Sequence, residues 1–328
     1  MKISVLGSGS WGVALAKLLA SNAHEVTLHF LRKKHAEVVS AENEYHSLPG
    51  IKLPEELTLC DSLDGLGGAD IVVLSPPSYA MRWNAALLKG IVSDSTVLVT
   101  ASKGIEKETG LRLSQVIESE LGGAERISVL SGPSHAEEVG RGVPTGCVVA
   151  ARTAKTAEMV QDAFMNCDFR VYTSDDIIGV ELCGALKNII AIAVGICDGL
   201  GYGDNTKAML MTRGLYEMSL LGEAMGGRRE TFSGLAGVGD LIVTCTSEHS
   251  RNRNAGLNIG RGMTTEQAMD AVGAVVEGYY AAAAAFELAQ KAGVEMPIVN
   301  ELYGIMYKGK DPRIATAQLM GREKRWEQ

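Results

Sequence analysis

The segment that most restricts this chain is its first twenty residues. Lys2-Ile3-Ser4-Val5-Leu6 is a short β-branched and aliphatic run, and Gly7-Ser8-Gly9-Ser10-Trp11-Gly12 follows it at once. Val13-Ala14-Leu15-Ala16-Lys17-Leu18-Leu19-Ala20 then reads as helix. A strand that turns through G-x-G-x-x-G into a helix is the dinucleotide-binding fingerprint in the context that gives it meaning. Gly7 makes the tight turn, Gly9 lets the backbone approach a diphosphate, and Gly12 lets the helix lie close on the strand. Free N–H groups and the positive end of the helix dipole then hold the anion. A Gly-rich turn in another kind of α/β unit is the competing reading.

The next strand, His24-Glu25-Val26-Thr27-Leu28-His29-Phe30, should end beside the adenosine ribose. A site that prefers NAD puts Asp or Glu there to bind the 2′-hydroxyl. This chain has Leu31-Arg32-Lys33-Lys34 instead. A guanidinium grips a 2′-phosphate bidentately, so Arg32 points to NADP(H) as the preferred cofactor, with NAD(H) possible. A solvated basic helix start is the plainer alternative.

With 328 residues there is room for two domains and a large core. A formal charge of −8 argues against a general nucleic-acid binder. The longest apolar run, Ile189-Ile190-Ala191-Ile192-Ala193-Val194, reads as a buried helix, too short for a membrane span. The N-terminus enters a strand without a leader pattern. Cys60, Cys147, Cys167, Cys183, Cys197 and Cys245 form no C-x-x-C pair, which suggests reduced thiols in the cytoplasm. No H-E-x-x-H arrangement occurs, so no metal is expected.

Up to about residue 180, short apolar strands alternate with helical stretches. Ala69-Asp70-Ile71-Val72-Val73-Leu74-Ser75 stops at Pro76-Pro77, and Thr96-Val97-Leu98-Val99-Thr100-Ala101 and Ile127-Ser128-Val129-Leu130 follow. Cys147-Val148-Val149-Ala150-Ala151 and Phe169-Arg170-Val171-Tyr172 look like closing strands. That rhythm predicts an α/β fold: an N-terminal doubly wound (Rossmann) parallel sheet over 1–179 with ligands at its C-terminal strand ends. Beyond it the pattern is helical. Residues 209–225 repeat at helical spacing before Gly226-Gly227, Thr264-x-x-Gln267 is a capping box, and an Ala-rich helix over 279–291 ends at Gly293. An all-α C-terminal domain over 180–328 is therefore expected, with the active site at the junction.

Four clusters can carry chemistry there. Lys103 in Ala101-Ser102-Lys103-Gly104 should stand at the ligand edge of the sheet. Ser131-Gly132-Pro133-Ser134-His135-Ala136-Glu137-Glu138 opens a helix whose amides can hold a substrate oxygen, with His135 and the glutamates read as capping residues. Lys187 and Asn188 interrupt an apolar helix, which implies a buried lysine with a lowered pKa, suited to acid/base work; a snorkelling lysine is the alternative. Finally, Gly237-Val238-Gly239-Asp240 precedes Ser250-Arg251-Asn252-Arg253. Ser250 is a plausible N-cap, and Arg251 and Asn252 in the first turn make a phosphate site, whereas Arg253 is expected to be solvated. Two phosphate sites suggest a small phosphorylated substrate.

Together these segments, with Val275-Val276-Glu277-Gly278-Tyr279, closely resemble the bacterial type of the NAD(P)-dependent glycerol-3-phosphate dehydrogenase family over nearly the whole chain. Ser8 and Ser102 are small departures, where the family often has Ala and Thr. The resemblance implies that Lys187 is the catalytic proton donor and acceptor. It implies substrate contacts from Lys103, Gly132, Ser134, Lys187, Asn188, Asp240, Ser250, Arg251 and Asn252. Around the cofactor it implies Ser10, Trp11, Arg32, Lys103, Ala136, Arg251, Val275 and Glu277, which join Gly7, Gly9 and Gly12 of the fingerprint. It further implies a cytoplasmic homodimer that interconverts dihydroxyacetone phosphate and sn-glycerol 3-phosphate and supplies the latter for phospholipid synthesis. A dehydrogenase of non-phosphorylated hydroxy acids and a non-catalytic NADP sensor remain as alternatives. The first would not need Arg251, and the second would not need Lys187.

Overall fold

The computed structural model describes residues 1–31, 45–46, 48–324 and 326–327. Arg32, Lys33 and Lys34, which carry the cofactor-preference reading, lie outside the described residues. Among those described, eight strands form one sheet: β1 (Lys2–Leu6), β2 (Glu25–His29), β3 (Thr58–Cys60), β4 (Ile71–Leu74), β5 (Val97–Thr100), β6 (Ile127–Ser131), β7 (Thr145–Ala151) and β8 (Phe169–Ser174). Their spatial order is β3-β2-β1-β4-β5-β6-β7-β8. The apolar runs sit where both faces are covered, as a parallel sheet requires: Val5 pairs with Leu28 on one side and Val73 on the other, and all three are buried. The order reverses between β1 and β4, which opens the crevice where such sheets bind ligands.

Two features differ from the sequence expectation. β3 is a three-residue edge strand, too short to show a period. The parallel run ends at β6, because β7 pairs antiparallel to it, Leu130 facing Val149, and β8 follows β7 in parallel. The cause is the connection. The helix after β6 has only 5 residues, about 7 Å at 1.5 Å per residue, and a parallel return needs a crossover long enough to span the sheet. The chain therefore re-enters from the end it left.

Five helices accompany the sheet: α1 (Ser10–Ser21), α2 (Met81–Leu87), α3 (Leu113–Leu121), α4 (Ala136–Gly140) and α5 (Ala154–Phe164). Nine follow: α6 (Ile177–Gly199), α7 (Asp204–Ala224), α8 (Arg229–Phe232), α9 (Asp240–Thr246), α10 (Arg251–Gly260), α11 (Thr265–Val272), α12 (Glu277–Ala292), α13 (Pro297–Lys308) and α14 (Pro312–Met320). The capping box is present, with Thr264 accepting from the Gln267 N–H at 3.2 Å and Gln267 accepting from the Thr264 N–H at 3.1 Å. Gly293 ends α12 in the left-handed region at φ 66°.

α6 is the axis of the second half. By length and composition it could cross a bilayer, but it is almost entirely buried in this fold and packs in one cluster with Val129 and Ala150 of the sheet. It crosses α10 backbone against backbone. A Cβ on Gly195 would stand 2.0 Å from the Arg253 carbonyl oxygen, and one on Gly256 would stand 2.0 Å from that of Ile192. One turn on, Gly199 and Gly260 repeat the arrangement, each 2.3 Å from a carbonyl of the facing helix. Paired glycines four apart let two helix backbones touch, and this crossing brings the first turn of α10 beside Asn188.

Candidate active site

At the N-terminus of α1 the glycines separate into two kinds. Gly7, at φ +125°, and Gly12 have no room for a side chain: a Cβ on Gly12 would lie 2.0 Å from the Gly7 carbonyl oxygen. A Cβ on Gly9 would meet nothing within 4 Å. Gly7 and Gly12 thus close the turn internally, whereas Gly9 fronts open space. Gly9 is the N-cap and, having no side chain, leaves the first N–H groups of α1 without a side-chain cap. Open space over unsatisfied donors at a helix start fits a dinucleotide diphosphate. Trp11 pins this turn to the end of β5, its indole N–H donating to the Ala101 carbonyl at 3.0 Å.

The loop after β5 then delivers Lys103. Its ammonium donates to the Gly132 carbonyl at 2.9 Å and to Asp240 Oδ2 at 2.8 Å. The other oxygen of Asp240, Oδ1, accepts from Lys187, which also donates to Thr244 Oγ1 at 2.6 Å. One buried carboxylate thus bridges two lysines, one from the sheet and one from α6. Two of the three donors of each ammonium are taken by these acceptors. Lys187 is 5% exposed. Burial pushes its pKa down to about 8, with the Asp240 charge opposing that shift and the Lys103 charge adding to it.

Thr244 was not singled out by the sequence, although its position carries a signal. It lies four residues after Asp240 on α9, hence on the same helix face. Its hydroxyl donates to the Asp240 carbonyl at 2.6 Å, which leaves its oxygen to accept from Lys187.

Gly132, at φ +150°, could not carry a Cβ without approaching Cys147 Cα to 2.9 Å. Ser134 donates to the Gly132 carbonyl at 2.9 Å, and Ala136 begins α4. His135 is the N-cap by position only: its side chain makes no cap bond, and its Nε2 lies 3.4 Å from the Val243 carbonyl. The capping reading of that histidine is therefore replaced by a contact with α9. Buried Cys147 and Cys245 flank the lysines with thiols pushed up to about 12 by burial, so they act as small apolar groups.

Ser250 caps α10, its hydroxyl accepting from the Arg253 N–H at 3.2 Å. Arg251 is exposed at the start of that helix. The Asn252 side chain points inward: its Nδ2 donates to Asn188 Oδ1 at 3.0 Å, and its Oδ1 accepts from the Gly278 N–H at 2.8 Å. Asn188 in turn donates to the Gly184 carbonyl at 3.2 Å. Arg253 is not solvated as its place in a basic run suggested. It pairs with Asp198 of α6 through Nε at 2.9 Å and Nη2 at 2.6 Å. Val275 is partly buried just ahead of α12, and Glu277 opens that helix in contact with Ser78.

Family models for the N-terminus and the C-terminus of NAD-dependent glycerol-3-phosphate dehydrogenase match residues 2–157 and 176–317. A glycerol-3-phosphate dehydrogenase (NAD(P)+) of Moorella thermoacetica is 54% identical over 323 residues, covering 98% of this chain and 96% of the relative. One of Fusobacterium nucleatum is 49% identical over 330 residues, covering 100% and 98%. Among solved structures, glycerol-3-phosphate dehydrogenase from Coxiella burnetii superposes with a TM-score of 0.92 at 39% identity, covering 98% of this chain and 99% of that one. D-mandelate dehydrogenase with NADH shares the fold alone, at 17% identity and a TM-score of 0.62 over 94% and 98% of the two chains.

Proposed function

Because the chain belongs to the NAD-dependent glycerol-3-phosphate dehydrogenase family, we propose that Lys187 moves the proton in the reaction it catalyses, the interconversion of dihydroxyacetone phosphate and sn-glycerol 3-phosphate with NAD(P)(H). The observation that carries this assignment is the Asp240 carboxylate shared by Lys187 and Lys103 in a buried setting. Burial lowers the Lys187 pKa toward neutrality, where an amine can both give and take a proton. When bound, the nicotinamide exchanges hydride with C2 of the substrate. In ketone reduction, the remaining N–H of Lys187 protonates the oxygen on C2 as negative charge develops there, and Lys103 adds a second positive charge. Asp240 keeps both amines aimed at one point and holds Lys187 protonated.

Substrate binding on this reading divides between two ends. The guanidinium of Arg251, the Ser250 hydroxyl and the amides of the first turn of α10 hold the phosphate. Gly132 and Ser134 line the opposite wall. Asn188 and Asn252 serve by locking α6, α10 and α12 together, because their side chains bond to one another, to Gly278 and, within α6, to Gly184. Gly7, Gly9, Ser10, Trp11 and Gly12, with Lys103, Ala136, Arg251, Val275 and Glu277, would hold the dinucleotide. Division at 1–179 and 180–328 then gives a dinucleotide-binding domain and a helical substrate domain, each lending residues to the other's ligand. A preference for NADPH, resting on Arg32, belongs to the same reading, as do a cytoplasmic homodimer and a supply of sn-glycerol 3-phosphate to phospholipid synthesis.

Oxidation of NADPH and NADH followed at 340 nm with dihydroxyacetone phosphate tests these assignments. Faster turnover with NADPH supports the role of Arg32, and equal rates remove it. Lys187→Ala should lower turnover roughly a hundredfold to ten-thousandfold while cofactor binding stays unchanged. Near-normal turnover in that variant would take the proton away from Lys187.

A further inference from the structure

The sheet half and the helical half meet in a contact that none of the assigned roles explains. Ser78, just past Pro76-Pro77 at the end of β4, is 2% exposed. Its N–H donates to Glu277 Oε1 at 3.0 Å, and its hydroxyl donates to Glu277 Oε2. Alongside, the rings of Tyr79 and Tyr280 lie 5.7 Å apart between centroids. Tyr280 is itself anchored by Tyr279, which stacks on Tyr307 at 4.6 Å. Two adjacent residues of one half thus grip the start of α12 in the other, one through polar bonds and one through a ring.

The neighbouring loop is built around this grip. A Cβ on Gly104, directly after Lys103, would fall 2.4 Å from Ser78 Cβ and 3.4 Å from Glu277 Oε2. Behind Glu277, the Gly278 N–H donates to Asn252, so the same helix start is tied to α10. A partly buried carboxylate needs donors, being an acceptor only. Burial raises the Glu277 carboxyl above its ordinary range, while the two Ser78 donors and the Arg251 charge pull it back. Ser78 is thus what keeps Glu277 in its present direction, within reach of the Arg251 charge.

We propose that Ser78 is a positioning residue for the cofactor: it fixes the Glu277 carboxylate, and with it the start of α12 next to Arg251, in the geometry that grips the dinucleotide. The inference rests on the reading that Glu277 and Arg251 face the cofactor. Ser78 acts through Glu277, so its effect belongs to cofactor affinity rather than to proton transfer.

The test removes the hydroxyl with Ser78→Ala and titrates NADPH by its fluorescence, which needs no turnover, alongside steady-state kinetics. The Kd and KM for NADPH should rise about tenfold, the loss of one hydrogen bond to a charged acceptor. At saturating NADPH, kcat should stay within about twofold, the pattern of lost uniform binding. In a Glu277→Ala background the same change should add nothing, because its route is gone. Ser78→Cys, close in size with a weak donor, should fall between and serves if the Ala form does not fold. Equal NADPH affinity in wild-type, Cys and Ala proteins overturns the proposal, as does an undiminished Ser78→Ala effect without Glu277. Wild-type protein that binds NADPH but reduces no dihydroxyacetone phosphate defeats the functional reading instead, and the titration still judges Ser78.

Discussion

Lys187 is the residue at which burial, charge and chemistry can be weighed against one another. Desolvation is the largest influence and favours the neutral amine; the Asp240 charge opposes it, and Lys103 works with it. The balance near 8 sets a sign. Ketone reduction needs the protonated lysine, so its rate should fall as pH rises through about 8, while alcohol oxidation, which needs the neutral amine, should rise through the same value. His135 nearby does not supply this limb, because burial and both ammonium groups hold its pKa below the ordinary histidine value. Asp240→Asn removes the charge that favours protonation. The limb should then move to lower pH, and reduction at pH 8 should drop by roughly a hundredfold or more. A pH profile of kcat in both directions checks this, and a limb unmoved in Asp240→Asn would separate it from Lys187. At this scale the sequence was legible wherever one residue broke a pattern, as Lys187 breaks an apolar helix and Ser250 precedes one. Arg253 was misread because Asp198, its partner, is 55 residues away, and no local pattern announces that pairing.

Among the elements, the crossing of α6 and α10 does most to assemble the site. Its four glycines are spaced as Gly195-x-x-x-Gly199 and Gly256-x-x-x-Gly260, yet the sequence reading passed over them, since isolated helical glycines ordinarily count as weak points. Their meaning appears only when the two helices are brought together. Gly256→Ala would place a methyl group 2.0 Å from a backbone carbonyl that cannot yield as a side chain would. The expected cost is about 3 kcal/mol of stability, as for an overpacked core. Because the displaced helix begins with Ser250, Arg251 and Asn252, KM for dihydroxyacetone phosphate should rise more than KM for NADPH. Gly203→Ala is the control: a Cβ there meets nothing within 4 Å, and its φ of −86° suits any residue. Thermal unfolding of the two variants checks the contrast, and equal melting temperatures would show that the crossing tolerates a side chain. The same logic explains why β1, β4 and β5 were legible from continuous apolar runs whereas the direction of β7 was not. Strand direction depends on whether the preceding connection can cross the sheet, and that is a property of α4, not of the strand.

On the scale of the whole molecule, the change from alternating strands to helices reads as a boundary between two domains near residue 180. The packing runs across that boundary. α6 starts the helical half, but its buried side chains share one core with Ile105, Val129 and Ala150, and so it covers part of the sheet. Its first turns also hold Glu181, 7% exposed, which accepts from the Ser114 N–H at 2.8 Å, from the Ser114 hydroxyl at 2.6 Å and from Arg112. Arg112 is itself 6% exposed, so the bridge lies inside the protein. Removing one partner of a buried ion pair leaves the other charge uncompensated, at a cost of about 3–5 kcal/mol. A fragment ending at residue 179 loses Glu181 and the apolar cover over β6 and β7 in a single cut. Such a fragment should not unfold cooperatively, should bind a hydrophobic dye as loosely packed states do, and should hold NADPH poorly despite containing the whole glycine fingerprint. The full chain should unfold in one transition that dihydroxyacetone phosphate and NADPH together shift upward. Calorimetry on both proteins decides the matter. A sharp transition in the 1–179 fragment would mean that the sheet closes without α6, and that the site at the seam forms by docking two independently stable halves.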